Sequence, residues 1–369
     1  MKKNSSNTPL EAPDQISFEQ IFLGNGRASG YSVQQTADDG YIIAGSTGDF
    51  GQPIEGYLLK ANSDGLEQWS KVFVDTDRFM SVQKTIDGGY IITGVKHISN
   101  GFDVCYLLKI NSEGIEQWSQ EFTANSYNGN AWGQSGQQTA DGGYIITGLS
   151  LVDNDAQYCF LLKTNEIGQE QWSKMFLVNN SYSNRGYSVQ QTTDGGYIIT
   201  GTYSVVENGI LKSFLIKTND LGVEQWSKTF EGNESASLRS VQQTTDGGFI
   251  AVGWSDGCYL LKTSSDGIEQ WSQTFFGDLG GRSVQQVADG GYIFSGSKEG
   301  YLYLLKTNSD GVEQWSQMFS GNGVWTNGWS VQQTTDGGFV VVGETNDSIT
   351  FGSKCVLLKT DSDGNVTFN

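Results

Sequence analysis

The segment "SVQQTTDGGYIITG", Ser188 to Gly201, recurs in variant form along the whole chain, and that repetition constrains the fold more than any other feature. Equivalent glutamines stand at Gln34, Gln83, Gln137, Gln190, Gln242, Gln285 and Gln332, at spacings of 49, 54, 53, 52, 43 and 47 residues. Each copy continues into a "YIIAG"-type segment (Tyr41–Gly45), a "YLLK"-type segment (Tyr57–Lys60) and a "NSDGLEQWS"-type segment (Asn62–Ser70). Such a period marks one supersecondary unit repeated, with neighbours burying one another's apolar faces. Every unit holds four short runs rich in Tyr, Ile, Val, Leu and Trp, bounded by Gly and Asp, and these read as strands. The glycines of "TTDGGY" and "NSDG" supply the positive φ of tight hairpins and would break a helix.

Four antiparallel strands, seven times over, with no helix to cross between parallel strands, predict an all-β chain folded as a single seven-bladed β-propeller of four-stranded antiparallel blades. Residues 1–15 read as a flexible tail and 16–369 as the propeller. Within it, "ISFEQIFLG" (Ile16–Gly24) aligns with "EQWSKTFEG" (Glu224–Gly232) and sets Phe18 at a Trp position. This orphan fourth strand, residues 16–24, is expected to complete the last blade and close the ring, with Val366–Asn369 competing for the same place. The first strand of each blade lies nearest the axis in a propeller. Gln190 and Gln191 should therefore enter opposite inter-blade seams and satisfy their amides against neighbouring backbone. Counting outward from the last turn of the unit sets Lys60 opposite Glu67 and Leu58 opposite Trp69. Lys217 with Glu224 and Lys306 with Glu313 repeat the expected ion pair.

The motifs "DGGYIITG" and "LLKTNSDGVEQWS" resemble the Asp-Gly-Gly-Tyr-type repeats of bacterial and archaeal propellers, which are mostly uncharacterised and sometimes labelled endoglucanase-like. The resemblance covers nearly everything after residue 15. The Gly-to-Trp spacing, Gly65 to Trp69 and Gly222 to Trp226, is also similar to the tryptophan-docking repeats of quinoprotein-type propellers. Those dehydrogenases carry an adjacent cysteine pair and typically eight units. This chain departs from both, so no cofactor is carried over. The resemblance favours a secreted or cell-surface location; the N-terminal residues lack the apolar stretch of a signal segment, which leaves the cytoplasm open.

A net charge of −19 argues against general affinity for nucleic acid, which draws on excess Lys and Arg. No apolar run approaches the ~18 residues of a membrane helix, so insertion into a membrane is not expected. Cys105, Cys159, Cys258 and Cys355 occupy the same repeat position, where other units have Gly56, Ser213 and Leu302. Equivalent positions in a ring stay farther apart than the ~7 Å a disulfide spans, so these read as small buried thiols.

The repeat also sorts the loops. First-to-second and third-to-fourth turns share one face, which varies little between units and carries Asp39, Asp87, Asp141, Asp194, Asp246, Asp289 and Asp336. The opposite face varies, from "WSDGC" (Trp254–Cys258) to "TANSYNGNAWGQ" (Thr123–Gln134), and holds all five arginines. Arg27, Arg78, Arg185, Arg239 and Arg282 stand just before inner strands, accompanied by Tyr31, Trp132, Tyr187, Trp325 and Trp329. Guanidinium and indole groups are natural anchors for a carboxylate-bearing glycan or an acidic protein segment. We take Arg78, Arg185, Arg239, Arg282, Trp132, Tyr31, Tyr187 and Trp329 as the candidate ligand-binding set of a non-enzymatic interaction scaffold. The plainer alternative is that the arginines cap exposed inner-strand carbonyls.

A glycosidase is the competing class, needing two paired carboxylates. The irregular acids Asp75, Asp77, Asp153, Asp155 and Glu207 show no diagnostic spacing for it, and "NSDGLEQW" departs from the sialidase Asp-box in its Gly-to-Trp spacing. His97 is the only histidine, which leaves little for a histidine-bearing triad and no zinc site. "DSDGN" (Asp361–Asn365) opens like a Ca²⁺ loop but lacks the downstream Glu, so a turn explains it better. No catalytic residue, metal or cofactor is assigned.

Overall fold

A computed structural model describes residues 17–49, 51–99, 101–124, 130–152, 156–205, 209–230, 235–275, 279–320, 325–346 and 352–366. The expected tail lies outside them, as do Asp153, Asp155, Glu207 and the last three residues of the chain.

The repeats fold into seven four-stranded antiparallel sheets, one per blade. In the first blade β2 (Arg27–Gln35) lies innermost, followed by β3 (Tyr41–Gly48), β4 (Glu55–Ala61) and β5 (Glu67–Phe73) at the outer edge. Because each blade is sandwiched between two others, β3 and β4 are buried on both faces. Their centres are accordingly apolar, Tyr41–Ala44 and Tyr57–Leu59, whereas outermost β5 exposes Glu67, Gln68 and Ser70. The core is thus a series of seams. In one of them Ile42, Ala44 and Leu58 of the first blade pack on Phe79, Val82, Ile92 and Leu108 of the next.

Tryptophan docking is steric. Trp69 lies over Gly114 of the following blade, where an added Cβ would fall 2.7 Å from the indole. Trp118 over Gly168, Trp172 over Gly222, Trp226 over Gly267, Trp271 over Gly311 and Trp315 over Gly364 repeat the contact. Phe18 covers Gly65 in the same manner and so stands in for the missing indole. Its strand, β1 (Phe18–Phe22), pairs antiparallel with β28 (Ser353–Thr360) from Phe18↔Lys359 to Phe22↔Cys355, and the N-terminal strand closes the ring. Val366 packs instead against the core cluster that includes Leu304, Val341 and Leu358.

The paired glutamines stitch the seams in both directions. Gln190 accepts from the backbone N–H of Gln243 in the next blade at 2.6 Å, while Gln191 accepts from that of Ala140 in the previous blade at 2.8 Å. Across the closure, Gln332 accepts from Gln35 N–H at 2.6 Å and Gln35 from Thr335 N–H at 2.9 Å. Most of these amides are half-buried, and they do for neighbouring blades what ladder bonds do within one.

The outer hairpin differs from expectation. A bulge after Lys60 places it opposite Trp69, and Ala61 opposite Glu67, so Lys60 does not pair with Glu67 and Leu58 stands opposite Lys71 rather than Trp69. The same shift separates Lys217 from Glu224 and Lys306 from Glu313. The lysines turn inward instead. Lys60 is buried, ion-paired to Asp38 at 2.9 Å and donating to Gln68 Oε1 at 3.0 Å and the Ala61 carbonyl at 3.2 Å. Lys217 with Asp194 at 2.8 Å and Lys306 with Asp289 at 2.5 Å repeat it. Asp38 is therefore the equivalent of Asp194, and Asp39 takes a positive φ of 58° where Gly195 stands in the fourth blade. The four cysteines are free and buried, as their repeat position implies.

Candidate functional site

Every inner strand carries a one-residue bulge at the same place. The register slips between Gly30 and Ser32, Phe79 and Ser81, Gly133 and Ser135, and Gly186 and Ser188. It slips likewise between Leu238 and Ser240, Gly281 and Ser283, and Gly328 and Ser330. A bulge re-aims the side chain of its extra residue. Here it also presses the inner-strand carbonyl toward the glycine of the "YIITG" segment: a Cβ on Gly201 would fall 1.9 Å from the Arg185 carbonyl oxygen, and one on Gly45 1.9 Å from that of Ser29. Only glycine fits there.

The bulged residues are Tyr31, Met80, Gln134, Tyr187, Arg239, Arg282 and Trp329, in order around the axis. All but Tyr31 line one cavity of roughly 470 Å³. Arg78, Trp132 and Arg185, two residues nearer the variable loops on their strands, line it as well, with Asp77, Val95, Leu149 and Gln157. The structure thus brings together seven of the eight candidate residues. Tyr31 stands just behind, edge-on to Trp329 with ring centroids 5.5 Å apart and its hydroxyl 3.1 Å from Ser46 Oγ. Arg27 does not join the cavity. It lines a second one of about 210 Å³ and donates to the Asp49 carbonyl at 3.2 Å, one residue past the end of second strand β3 rather than at an inner-strand carbonyl.

The four arginines of the main cavity are held in two ways. Arg78 Nε pairs with Asp77 at 2.9 Å, and Arg185 Nε donates to Gln157 Oε1 at 2.9 Å. Burial works against the charge of Arg78, but the hydrogen bond and charge of Asp77 outweigh it and raise its pKa. Arg239 and Arg282, on neighbouring blades, instead stack on aromatic faces. Arg239 lies 4.0 Å over the Tyr187 ring and Arg282 4.3 Å over that of Trp329. Among the described residues neither has a carboxylate within ion-pair distance, and Arg282 Nε is buried with no acceptor. Burial first, and then the charge of Arg239, lower the pKa of Arg282, although a guanidinium stays protonated at any ordinary pH.

Both tryptophans are pinned by their indole N–H. Trp329 Nε1 donates to Glu344 Oε1 at 3.3 Å, whose other oxygen accepts from Ser29 Oγ at 2.6 Å. Trp132 Nε1 donates to Asp103 Oδ2 at 3.0 Å, and Asp103 Oδ1 lies 2.8 Å from His97 Nδ1. Sequence reasoning missed Met80, Gln134, Gln157, Glu344 and Asp103. The signal for the first two was present: the residue before each "SVQ", or before "SGQ" in the third unit, changes from unit to unit while its neighbours change less.

The opposite face is occupied by structure. Asp361 Oδ1 accepts from the backbone N–H groups of Asp363 and Asn365 at 2.9 and 2.7 Å, which makes "DSDGN" an Asx turn. Among the described residues no group of three or more His, Cys, Asp or Glu side chains is placed to hold a metal ion.

No protein-family model matches the chain, and no curated protein matches its sequence. Solved structures do match in shape. A catalytically inactive virginiamycin B lyase from Staphylococcus aureus, determined with quinupristin, is similar with a TM-score of 0.61 at 11% identity, over 93% of this chain and 99% of that one. The RRP9 WD40 repeats give 0.62 at 9% identity, over 93% and 97%. A protein of unknown function from Bacteroides caccae gives 0.51 at 12% identity, over 78% and 96%. At such identities the likeness is one of fold, and the chain is a β-propeller whose structural neighbours include lyases and WD40 repeats.

Proposed function

We propose that this protein is a binding module whose variable face engages a carboxylate-bearing protein or glycan partner at the axial mouth. One observation carries the reading: in a chain of net charge −19, arginines from four blades converge on one aromatic-walled cavity, and two of them lack a carboxylate partner among the described residues. Two neighbouring, half-buried cations with no ion-paired carboxylate among the described residues, Glu344 acting on Arg282 only at longer range, are under-compensated, and an incoming anion relieves both their repulsion and their lost hydration. The remaining finer points of the repeat resemblance belong to the same reading, since Asp-Gly-Gly-Tyr-type turns build the invariant face and leave the variable one to specificity.

The glycosidase alternative needs two carboxyls about 5 to 9.5 Å apart in one pocket. Among the described residues the cavity lining holds one carboxylate, Asp77, and it is ion-paired to Arg78. The test is an array of acidic and neutral glycans and peptides probed with the wild-type protein and with an Arg78→Gln, Arg185→Gln, Arg239→Gln, Arg282→Gln variant. Capture of acidic ligands should weaken with added salt and disappear in the variant. A variant that captures the same ligands equally well but melts several degrees lower would make the arginines structural caps.

A further inference from the structure

Resting on that reading, we infer that the ligand is a glycan and that the cavity takes its chain end, a terminal hexuronic acid whose carboxylate sits at Arg239 and Arg282. The cavity is lined by the inner strands of six of the seven blades, and its arginine pair belongs to the deeper of two tiers of side chains. A chain lying across the mouth does not reach that tier, whereas the end of a chain does. A space of roughly 470 Å³ is of small-ligand size and holds a short oligosaccharide end rather than a folded segment.

One face of each guanidinium is already covered, that of Arg239 by Tyr187 and that of Arg282 by Trp329. Their edges stay open to a ligand, and an edge is the part of a guanidinium that pairs with a carboxylate. Across the cavity, Trp132 is fixed through its N–H to Asp103, and its ring is free to stack on the apolar face of a sugar. Gln134 and Gln157 line the same space and offer both donors and acceptors, which suits ring hydroxyls. An aspartate or glutamate side chain has no hydroxyls to meet them. The pair is half-buried, and the apolar side chains of Met80, Val95 and Leu149 line the same cavity, which lowers the local dielectric and strengthens the charge contact.

The experiment is isothermal titration of the full chain with D-glucuronate, D-glucose and N-acetyl-L-glutamate, repeated with an acidic glycan ending in uronate and with the same glycan capped by a neutral sugar. Glucuronate and the uronate-ended glycan should bind. Glucose and the capped glycan should bind at least tenfold more weakly. Arg239→Gln with Arg282→Gln should abolish the difference, and Arg27→Gln, outside the cavity, should leave it unchanged. Trp132→Leu should weaken glucuronate more than it weakens acetate. Equal binding of glucose, or tighter binding of N-acetyl-L-glutamate, would overturn the inference. Capture of an acidic protein with no response to any uronate would overturn it too, while leaving the binding-module reading standing.

Discussion

The buried lysines of the turn face show how one unmarked residue redirects a side chain. Alternation from the "NSDG" turn sends Lys60 toward Glu67, but Gln68 occupies a bulge and Lys60 meets Asp38 instead. Nothing in "LEQWS" announces that bulge, because its extra residue is an ordinary glutamine rather than a glycine. The consequence is a pH dependence of definite sign. Burial alone would raise the carboxyls of Asp87, Asp194 and Asp246, yet hydrogen bonds from the turn threonine, the buried lysine and a glycine N–H together hold each at about 2. Their ordinary value is 3.8, so the stabilisation is complete above that pH and is lost as pH falls through about 2. Urea unfolding between pH 7 and pH 2 should show this loss. Asp246→Asn should flatten it and cost about 1 kcal/mol at pH 7, a figure kept low because the carboxylate is half exposed. An unchanged pH slope in that variant would mean that carboxyls elsewhere govern acid unfolding.

At the scale of the strand, closure was legible because "ISFEQIF" repeats the spacing of a fourth strand with Phe18 and Phe22 in the ring positions, and the structure pairs that strand with β28. Deleting residues 1–24 should therefore expose the β28 edge and lower the melting temperature or cause aggregation. An unaltered melting curve would mean that the C-terminal segment substitutes for it. Phe18→Ala, opening a gap over Gly65, should cost about 2 kcal/mol, less than a full core deletion because the ring is only half-buried. The strand also carries a flaw that alignment does not reveal. Glu19 stands where the other fourth strands have Ser, with Oε1 buried and unpartnered, and burial raises its pKa above 4.5. A raised carboxyl favours the folded state below pH 4.5, and that contribution is lost as pH rises through the folded value. Glu19→Gln should thus raise the melting temperature at pH 8 and change it little at pH 4. Equal gains at both values would assign the effect to packing rather than to charge.

For the whole molecule, the repeat specified the architecture because each unit buries its faces only against its neighbours, and seven copies close a ring. The candidate site was legible as a set of residue types on one face, since arginine is rare here and aromatics accompany it. Its geometry was not, because the inner-strand bulge that aims Arg239, Arg282, Tyr187 and Trp329 into one space shows in sequence only as a variable residue before "SVQ" and a glycine one strand away. That geometry makes the arginine pair a burden on the empty protein. Like charges held together in a half-buried cavity oppose folding, and binding sites commonly carry such a cost. Arg282→Met keeps an apolar side chain against Trp329 and removes the charge. The variant should melt at the same temperature as the wild type or a few degrees higher in low salt. Added salt should stabilise it less than it stabilises the wild type, because there is less repulsion left to screen. A structural cap behaves oppositely: if Arg282→Met melts several degrees lower at every ionic strength, the guanidinium is holding the inner strand in place and the mouth has no need of an anion.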